Sequence, residues 1–227
     1  MTTPHIAPKV FITLALLAGA AMSAHAQSAG SVLVRAGAAT IKPKTESGDL
    51  SAPSLAGTKI DVGSDTELSG GITYMLTDNL SVDLPVAMPF KHEIVGAGAI
   101  AGAGKIGEVK ALPITLLGQY RFGAASAQVR PYLGAGLTYA KFFKESTTAA
   151  LTALTGGTPG SPTTMRVASR FGATFQLGAS LAINSQWSLD ASYAKTLLKT
   201  KATLSTGQTI DIKLNPDSYA LALGYKF

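Results

Sequence analysis

The sequence predicts an all-β fold: an eight-stranded antiparallel transmembrane β-barrel of up-and-down topology, preceded by a cleaved signal peptide. Three observations lead there. The N-terminus has the parts of an export signal in order. Behind it, apolar residues alternate at period two in runs longer than ordinary soluble strands. The connections between those runs are short and long by turns.

The signal comes first. Lys9 supplies a positive start, residues 10–22 are apolar or small except Thr13, and Ala24-His25-Ala26 is a small-x-small site followed by Gln27. That order is a secretory signal, and its apolar stretch is too short to span a bilayer as a helix. The chain therefore divides into a signal peptide over 1–26, cut between Ala26 and Gln27, and a barrel over 27–227. No later segment offers 18 consecutive apolar residues, so no spanning helix is expected.

Composition narrows the function classes. Of 227 residues, 46% are hydrophobic and 14% charged, which argues against a disordered chain. The net charge is +6, yet lysines and arginines are scattered without a basic cluster, so no nucleic-acid partner is expected. With no cysteine there is neither a disulfide nor a thiolate metal site. His92 is the single histidine left after the signal.

The strands follow from alternation. Over 165–184 the odd positions carry Val167, Phe171, Phe175, Leu177 and Leu181, and the even ones Arg166, Arg170, Thr174, Gln176 and Ser180. Similar runs cover 80–91, 112–122, 187–194 and 218–227, with weaker copies at 31–45, 65–77 and 129–143. Tilted membrane strands need about 9–11 residues inside the hydrocarbon. The joints at 78–79, 123–128 and 184–186 are tight, whereas 46–64, 94–108, 144–164 and 202–208 are long. Short turns on the periplasmic side and long loops outside describe an outer-membrane barrel. Tyr74, Tyr120, Phe122, Trp187, Tyr225 and Phe227 fall at the periplasmic strand ends, and Phe90, Phe143, Phe171 and Tyr193 towards the other, as two interfacial girdles require.

In hydrocarbon every backbone N–H and C=O needs a partner, so the first strand must pair with the last. Prolines 85, 89, 113, 131 and 216 lack a ladder donor and belong near strand ends or bulges. Pro216 coincides with a change of apolar phase between 214 and 219, which suggests a bulge.

The inward-facing parity places Arg35, Glu67, Asp83, Arg121, Arg130, Arg166, Arg170 and Asp190, with Gln119 and Gln176, in the lumen. An eight-stranded interior is just wide enough for side chains to fill. Opposite charges there should pair into a network that plugs the periplasmic half, or that only braces the barrel. Leu33, Ile41, Met75, Leu117 and Phe142 also point inward and suggest an apolar pocket or gate.

Enzyme chemistry is not expected. Gly102-Ala103-Gly104-Lys105-Ile106-Gly107 fits G-x-G-x-x-G, but a strand follows rather than a helix, so 96–107 reads as a mobile surface loop. His92, in Lys91-His92-Glu93, has neither enough partners for a metal site nor a marked serine beside it, and reads as exposed or interfacial. No metal and no cofactor are called for.

Several segments together resemble the OmpW family: Pro89-Phe90-Lys91-His92, Lys105-Ile106-Gly107-Glu108, Leu112-Pro113-Ile114-Thr115-Leu116, Gln119-Tyr120-Arg121-Phe122, and Arg130-Pro131-Tyr132-Leu133-Gly134-Ala135-Gly136. Val34-Arg35-Ala36-Gly37 and the end, Leu214-Asn215-Pro216 to Gly224-Tyr225-Lys226-Phe227, also fit. The resemblance implies a barrel in Gram-negative outer-membrane lipid that passes small hydrophobic solutes through a narrow lumen, with lateral release between strands as one route. It implies recognition of the C-terminal strand, ending in Phe227, by the barrel-assembly machinery. The alternative is a structural or surface-interaction barrel with a plugged lumen. The family often has two prolines where Leu112-Pro113-Ile114 has one.

Overall fold

The computed structural model describes residues 27–227; the signal peptide expected over 1–26 lies outside the described residues. The strands are β1 (Val32–Lys42), β2 (Glu46–Ser47), β3 (Thr58–Val62), β4 (Asp65–Met75), β5 (Leu80–Ala87), β6 (Phe90–Gly98), β7 (Lys105–Arg121), β8 (Val129–Thr147), β9 (Met165–Val167), β10 (Arg170–Ala182), β11 (Trp187–Leu197), β12 (Lys199–Leu204), β13 (Thr209–Lys213) and β14 (Asp217–Lys226). A short helix, α1 (Ala149–Leu154), joins β8 to β9.

Eight of these close a ring in the order β1-β4-β5-β7-β8-β10-β11-β14 and back to β1. The seal is the pairing of β1 with β14, from Leu33 opposite Lys226 to Lys42 opposite Asp217. Alternation then does what hydrocarbon requires: Leu68, Leu116, Leu137 and Leu221 project outward, while Thr73, Asp83, Arg121 and Gln176 project into a narrow interior.

The ring does not stop at the membrane. The loop over 46–64 contains β2 and β3, the long connections between β6 and β7 and between β8 and β9 are partly strand, and 202–208 is the end of β12 with a tight turn, 205–208, into β13. These pieces build an outer collar in which the polarity inverts. Ile94, Ile106, Val109, Leu198, Leu204, Ile210, Ile212 and Leu214 point inward and form one buried apolar cluster, while the lysines and acids of the same strands face out. Water bathes the collar and lipid bathes the barrel, so each turns to its surroundings the residues that suit them.

That inversion corrects several sequence expectations. The phase change at Pro216 is no bulge that reverses the faces: even residues point inward both before it (Ile210, Ile212, Leu214) and after it (Ala222, Gly224). What changes is which face is apolar. A true reversal occurs instead at residues 168–169, where β9 breaks from β10, so Met165 turns in and Arg166 turns out. A second occurs at Met88-Pro89: Met88 faces out, yet Phe90 is buried in the lumen rather than on the outer girdle. The glycine run 96–107 is the tip of the β6–β7 hairpin and not a free loop; Ile100 tucks under it and Gly98 and Gly104 take the positive φ of its turns.

One stretch departs from full pairing. β5 pairs with β7 as far as Asp83 opposite Leu117, and β6 resumes with Phe90 opposite Ala111. Between them, residues 84–89 and 112–116 lie side by side without a ladder. One flank holds an extra residue, so the register slips by one and the ladders cannot run through. The prolines face this seam. Met88 N–H donates to Leu68 of β4 at 2.9 Å, so by alternation Pro85 and Ala87 turn their backbone to β7. Phe122 N–H donates to Pro131 of β8 at 2.9 Å, and Arg121 N–H to Asn79 at 2.7 Å, so Pro113 and Thr115 turn theirs to the seam. Pro85 and Pro113 are therefore inside strands rather than at their ends, and these two of the four seam-facing residues have no N–H to leave unpaired.

Candidate functional site

The lumen is floored by a polar plug. Arg35 reaches across from β1 to Asp83 on β5 at 2.5 Å and to Asp190 on β11 at 3.1 Å. Thr73 donates to Asp83, Tyr132 and Ser180 donate to Asp190. Arg121 lies over the Tyr132 ring at 4.7 Å and donates to Gln119, Ser180 and Gln27. Arg130 donates to the carbonyls of Gln27 and Asp78. Gln27, the first described residue, is itself buried there with φ 93°. Gln119 bonds Gln176 at 2.7 Å and closes the layer from above. Charge taken out of water is tolerable only when paired and hydrogen-bonded, and this layer nearly meets that condition.

Of the inward charges read from the sequence, the structure brings together Arg35, Asp83, Arg121, Arg130 and Asp190. It leaves out Glu67, half-exposed near the outer rim, and Arg166 and Arg170, which are exposed. Arg166 is outside because the chain breaks at 168–169; Arg170 opens β10 at the rim. Tyr132 was missed, although it shares the parity of Arg130. Its ring fits because Gly178 stands opposite: a Cβ there would lie 2.4 Å from the ring.

Above the plug is a cavity of about 190 Å³, nearly all apolar. An apolar protein cavity of about 150 Å³ is enough to take up benzene. Ile41, Leu117 and Phe142 line it, with Phe90, Val109 and Leu214 among the others. Leu33 and Met75 do not; they are buried elsewhere in the barrel interior. One wall carries a row of hydroxyls, Thr115, Thr138, Thr174 and Thr196, bonded to each other at 2.6–3.0 Å. Each satisfies its neighbour, so the wall presents mainly methyl groups. The cavity reaches the seam, with Pro85, Val86 and Ala87 lining it from one flank and Ala111, Pro113 and Thr115 from the other. Val86 is also 51% exposed on the barrel surface, so the wall is one side chain thick there. A second apolar pocket beneath α1 shares Ile60, Ile94, Met165 and Ala202 with the first, which joins the cavity to the collar.

His92 is buried in the cavity wall and not exposed. Its Nδ1 lies 2.7 Å from the Gly63 carbonyl. The residue sits above the bilayer edge, where neighbours Lys91 and Glu93 face water. Burial pushes the imidazole below its ordinary value, against the Gly63 hydrogen bond and the nearby Asp65, which favour the proton. The unfolded chain therefore takes up a proton that the folded barrel resists. Stability is full above the ordinary histidine value of 6.5 and is lost as pH falls through the lower folded value. Urea unfolding from pH 7.5 to 4.5 should show a steeper loss for the natural protein than for His92→Gln, which keeps a donor for Gly63 but does not titrate. Parallel curves would refute this.

The periplasmic aromatics lie outside the barrel. Trp187 packs on Tyr225 at 4.9 Å, Tyr225 on Phe227 at 4.8 Å and Tyr120 on Phe122 at 5.0 Å, with Tyr74 half-exposed beside β1. Gln186 donates to the Tyr225 hydroxyl, so the ring has an apolar body and a wet tip. At the other rim Tyr139 meets Phe171 and Tyr193 meets Tyr219.

Comparison with known proteins agrees with this geometry. The OmpW family matches residues 28–227. The chain is similar to Outer membrane protein W of Vibrio cholerae serotype O1, 35% identical over 218 residues, covering 94% of this chain and 95% of the relative. It is similar to the crystal structure of the outer membrane protein OprG from Pseudomonas aeruginosa, with TM-score 0.80 and 31% identity over 89% of this chain and 98% of that one. It is also similar, at 26% identity over 76% of this chain and 77% of the relative, to the dibenzothiophene metabolism operon protein PahQ of Pseudomonas aeruginosa.

Proposed function

We propose, from the premise that this chain belongs to the OmpW family of Gram-negative outer-membrane barrels, that it is a passive channel for small hydrophobic solutes with sideways release into the bilayer. The observation that carries this is the meeting of cavity and seam: an apolar cavity closed below by charged side chains is bounded, on one side, by two stretches of chain, 84–89 and 112–116, that form no ladder with each other. A solute enters through the apolar collar, where it loses water at little cost. It cannot continue downward, because the plug would have to surrender its ion pairs. It leaves between 84–89, at the end of β5 and just beyond, and 112–116 of β7, where parting the two stretches breaks no ladder. The operon name of the PahQ relative supports solutes of the fused-ring, apolar class.

A surface-interaction barrel with a plugged lumen explains the plug, but it gives no reason for an apolar cavity abutting an unpaired seam. Deleting the gene and following uptake of a fused-ring hydrocarbon into cells tests the proposal. Uptake should fall and return when the gene is restored; equal uptake in the three strains would overturn it.

A further inference from the structure

The cations that look scattered along the sequence are not scattered in space. Apart from Arg35, Arg121 and Arg130 in the plug and Lys226 at the periplasmic end, every cation of the described chain lies on the outer side of the lipid-facing belt. Three of them gather at the seam. The first pair to resume above it, Phe90 opposite Ala111, turns inward, and the next, Lys91 opposite Lys110, turns outward. Lys141 follows on β8, opposite Leu112 and so one diagonal step from Lys110.

Like charges directly opposed on neighbouring strands repel, and a diagonal neighbour is within reach of long side chains. The acids nearby do not balance them. Lys91 meets Glu108 at 3.2 Å, and Lys105 meets Glu108 at 2.9 Å and Glu93 at 2.7 Å, so these two acids face four cations and the excess charge is that of Lys110 and Lys141. Lys110 and Lys141 have no ion pair or hydrogen bond among the described residues. Just below lie Val86, Met88, Ile114 and Leu116, all about half-exposed to lipid. Ammonium groups immediately above a greasy surface sit at the depth of lipid headgroups, where each strengthens binding of an anionic lipid by about fivefold.

We propose that Lys91, Lys110 and Lys141 form a binding site for the phosphate-bearing headgroup of an outer-leaflet glycolipid, whose acyl chains lie over the lipid face of the seam. A phosphate matches the site because it accepts from several ammonium groups at once and relieves the Lys91–Lys110 repulsion. A lipid matches better than a free ion. Exposed lysines hold a dissolved anion weakly against solvent and salt, whereas a lipid adds contact with the apolar residues beneath. The site stands whether or not a solute leaves through the seam.

The test is native mass spectrometry of the full, detergent-folded protein titrated with lipid A, a diphosphorylated acylated glucosamine disaccharide. Lys110→Gln/Lys141→Gln should bind it on the order of thirtyfold more weakly. Lys110→Arg/Lys141→Arg should retain binding. Lys59→Gln/Lys199→Gln, which removes the same charge from unpaired lysines elsewhere on the collar, should also leave it intact. A boiled-against-unboiled gel shift confirms that each variant is folded. The proposal fails if the two glutamine doubles weaken binding equally, if the fully dephosphorylated lipid binds as tightly, or if millimolar inorganic phosphate displaces the lipid, which would make this a free-anion site.

Discussion

Arg35→Ala should lower the unfolding free energy of the barrel by about 3–5 kcal/mol, the usual cost of orphaning buried charge. Among the described residues Arg35 is the only cation within ion-pair distance of either Asp83 or Asp190, and Asp83 is fully buried. Arg121 and Arg130 do not substitute for it, because their hydrogen bonds go to Gln119, Ser180, Gln27 and backbone carbonyls. Removing Asp83 as well takes away the more deeply buried of the two orphaned carboxylates, so Arg35→Ala/Asp83→Ala should be no less stable than Arg35→Ala alone. Glu67→Ala serves as the reference: half-exposed and without an ion pair, it should change stability by no more than about 0.5 kcal/mol. Urea unfolding in lipid vesicles reads all of these through Trp187, the single tryptophan, which sits in the periplasmic girdle. A cost below about 1 kcal/mol for Arg35→Ala, or a double variant markedly worse than the single, would mean that the plug is wetter and less coupled than its geometry.

The plug was half legible in the sequence because alternation is a local signal. Arg35, Asp83, Arg121, Arg130 and Asp190 belong to strands whose parity holds from end to end, and parity alone put them in the lumen. It failed for Arg166 and Phe90, since breaks at 168–169 and at Met88-Pro89 reverse the faces, and a break of that kind is set by tertiary pairing rather than by residue type. The collar was read as loops for a related reason. Its strands, such as β13 with Ile210 and Ile212, are apolar on the inside, whereas the membrane strands are apolar on the outside. One template cannot describe both. The closed ring was legible because backbone satisfaction in lipid admits few alternatives. The same rule, taken as absolute, hid the seam: the prolines were visible, but that Pro85 and Pro113 turn to one interface depends on register, which a single sequence does not give.

The seam yields the second large effect. Continuing the register from Asp83 opposite Leu117 sets Ala87 opposite Pro113, and both line the cavity. Ala87→Cys/Pro113→Cys therefore places two sulfurs on one side of the seam. Opposed strand residues have Cα atoms about 5.5 Å apart when paired, within disulfide range. With no natural cysteine, no other thiol competes. Under oxidation, uptake of a fused-ring hydrocarbon should fall to that of cells lacking the protein, and a reductant should restore it. Pro113→Cys alone should transport under both conditions, which separates the cross-link from the loss of a proline. Blocking the seam leaves the collar, the cavity and the plug as they were, so persistent uptake by fully cross-linked protein would place the exit through the plug and remove the role of the unpaired strands. The effect is expected to be large because the alternatives are unequal. Parting 84–89 from 112–116 exposes only the N–H groups of Ala87 and Thr115 to lipid, beyond carbonyls that already lack partners. Opening any other interface of the ring, such as β1 from β14 with ten opposed pairs, would strip a whole ladder at several kcal/mol for each unsatisfied group.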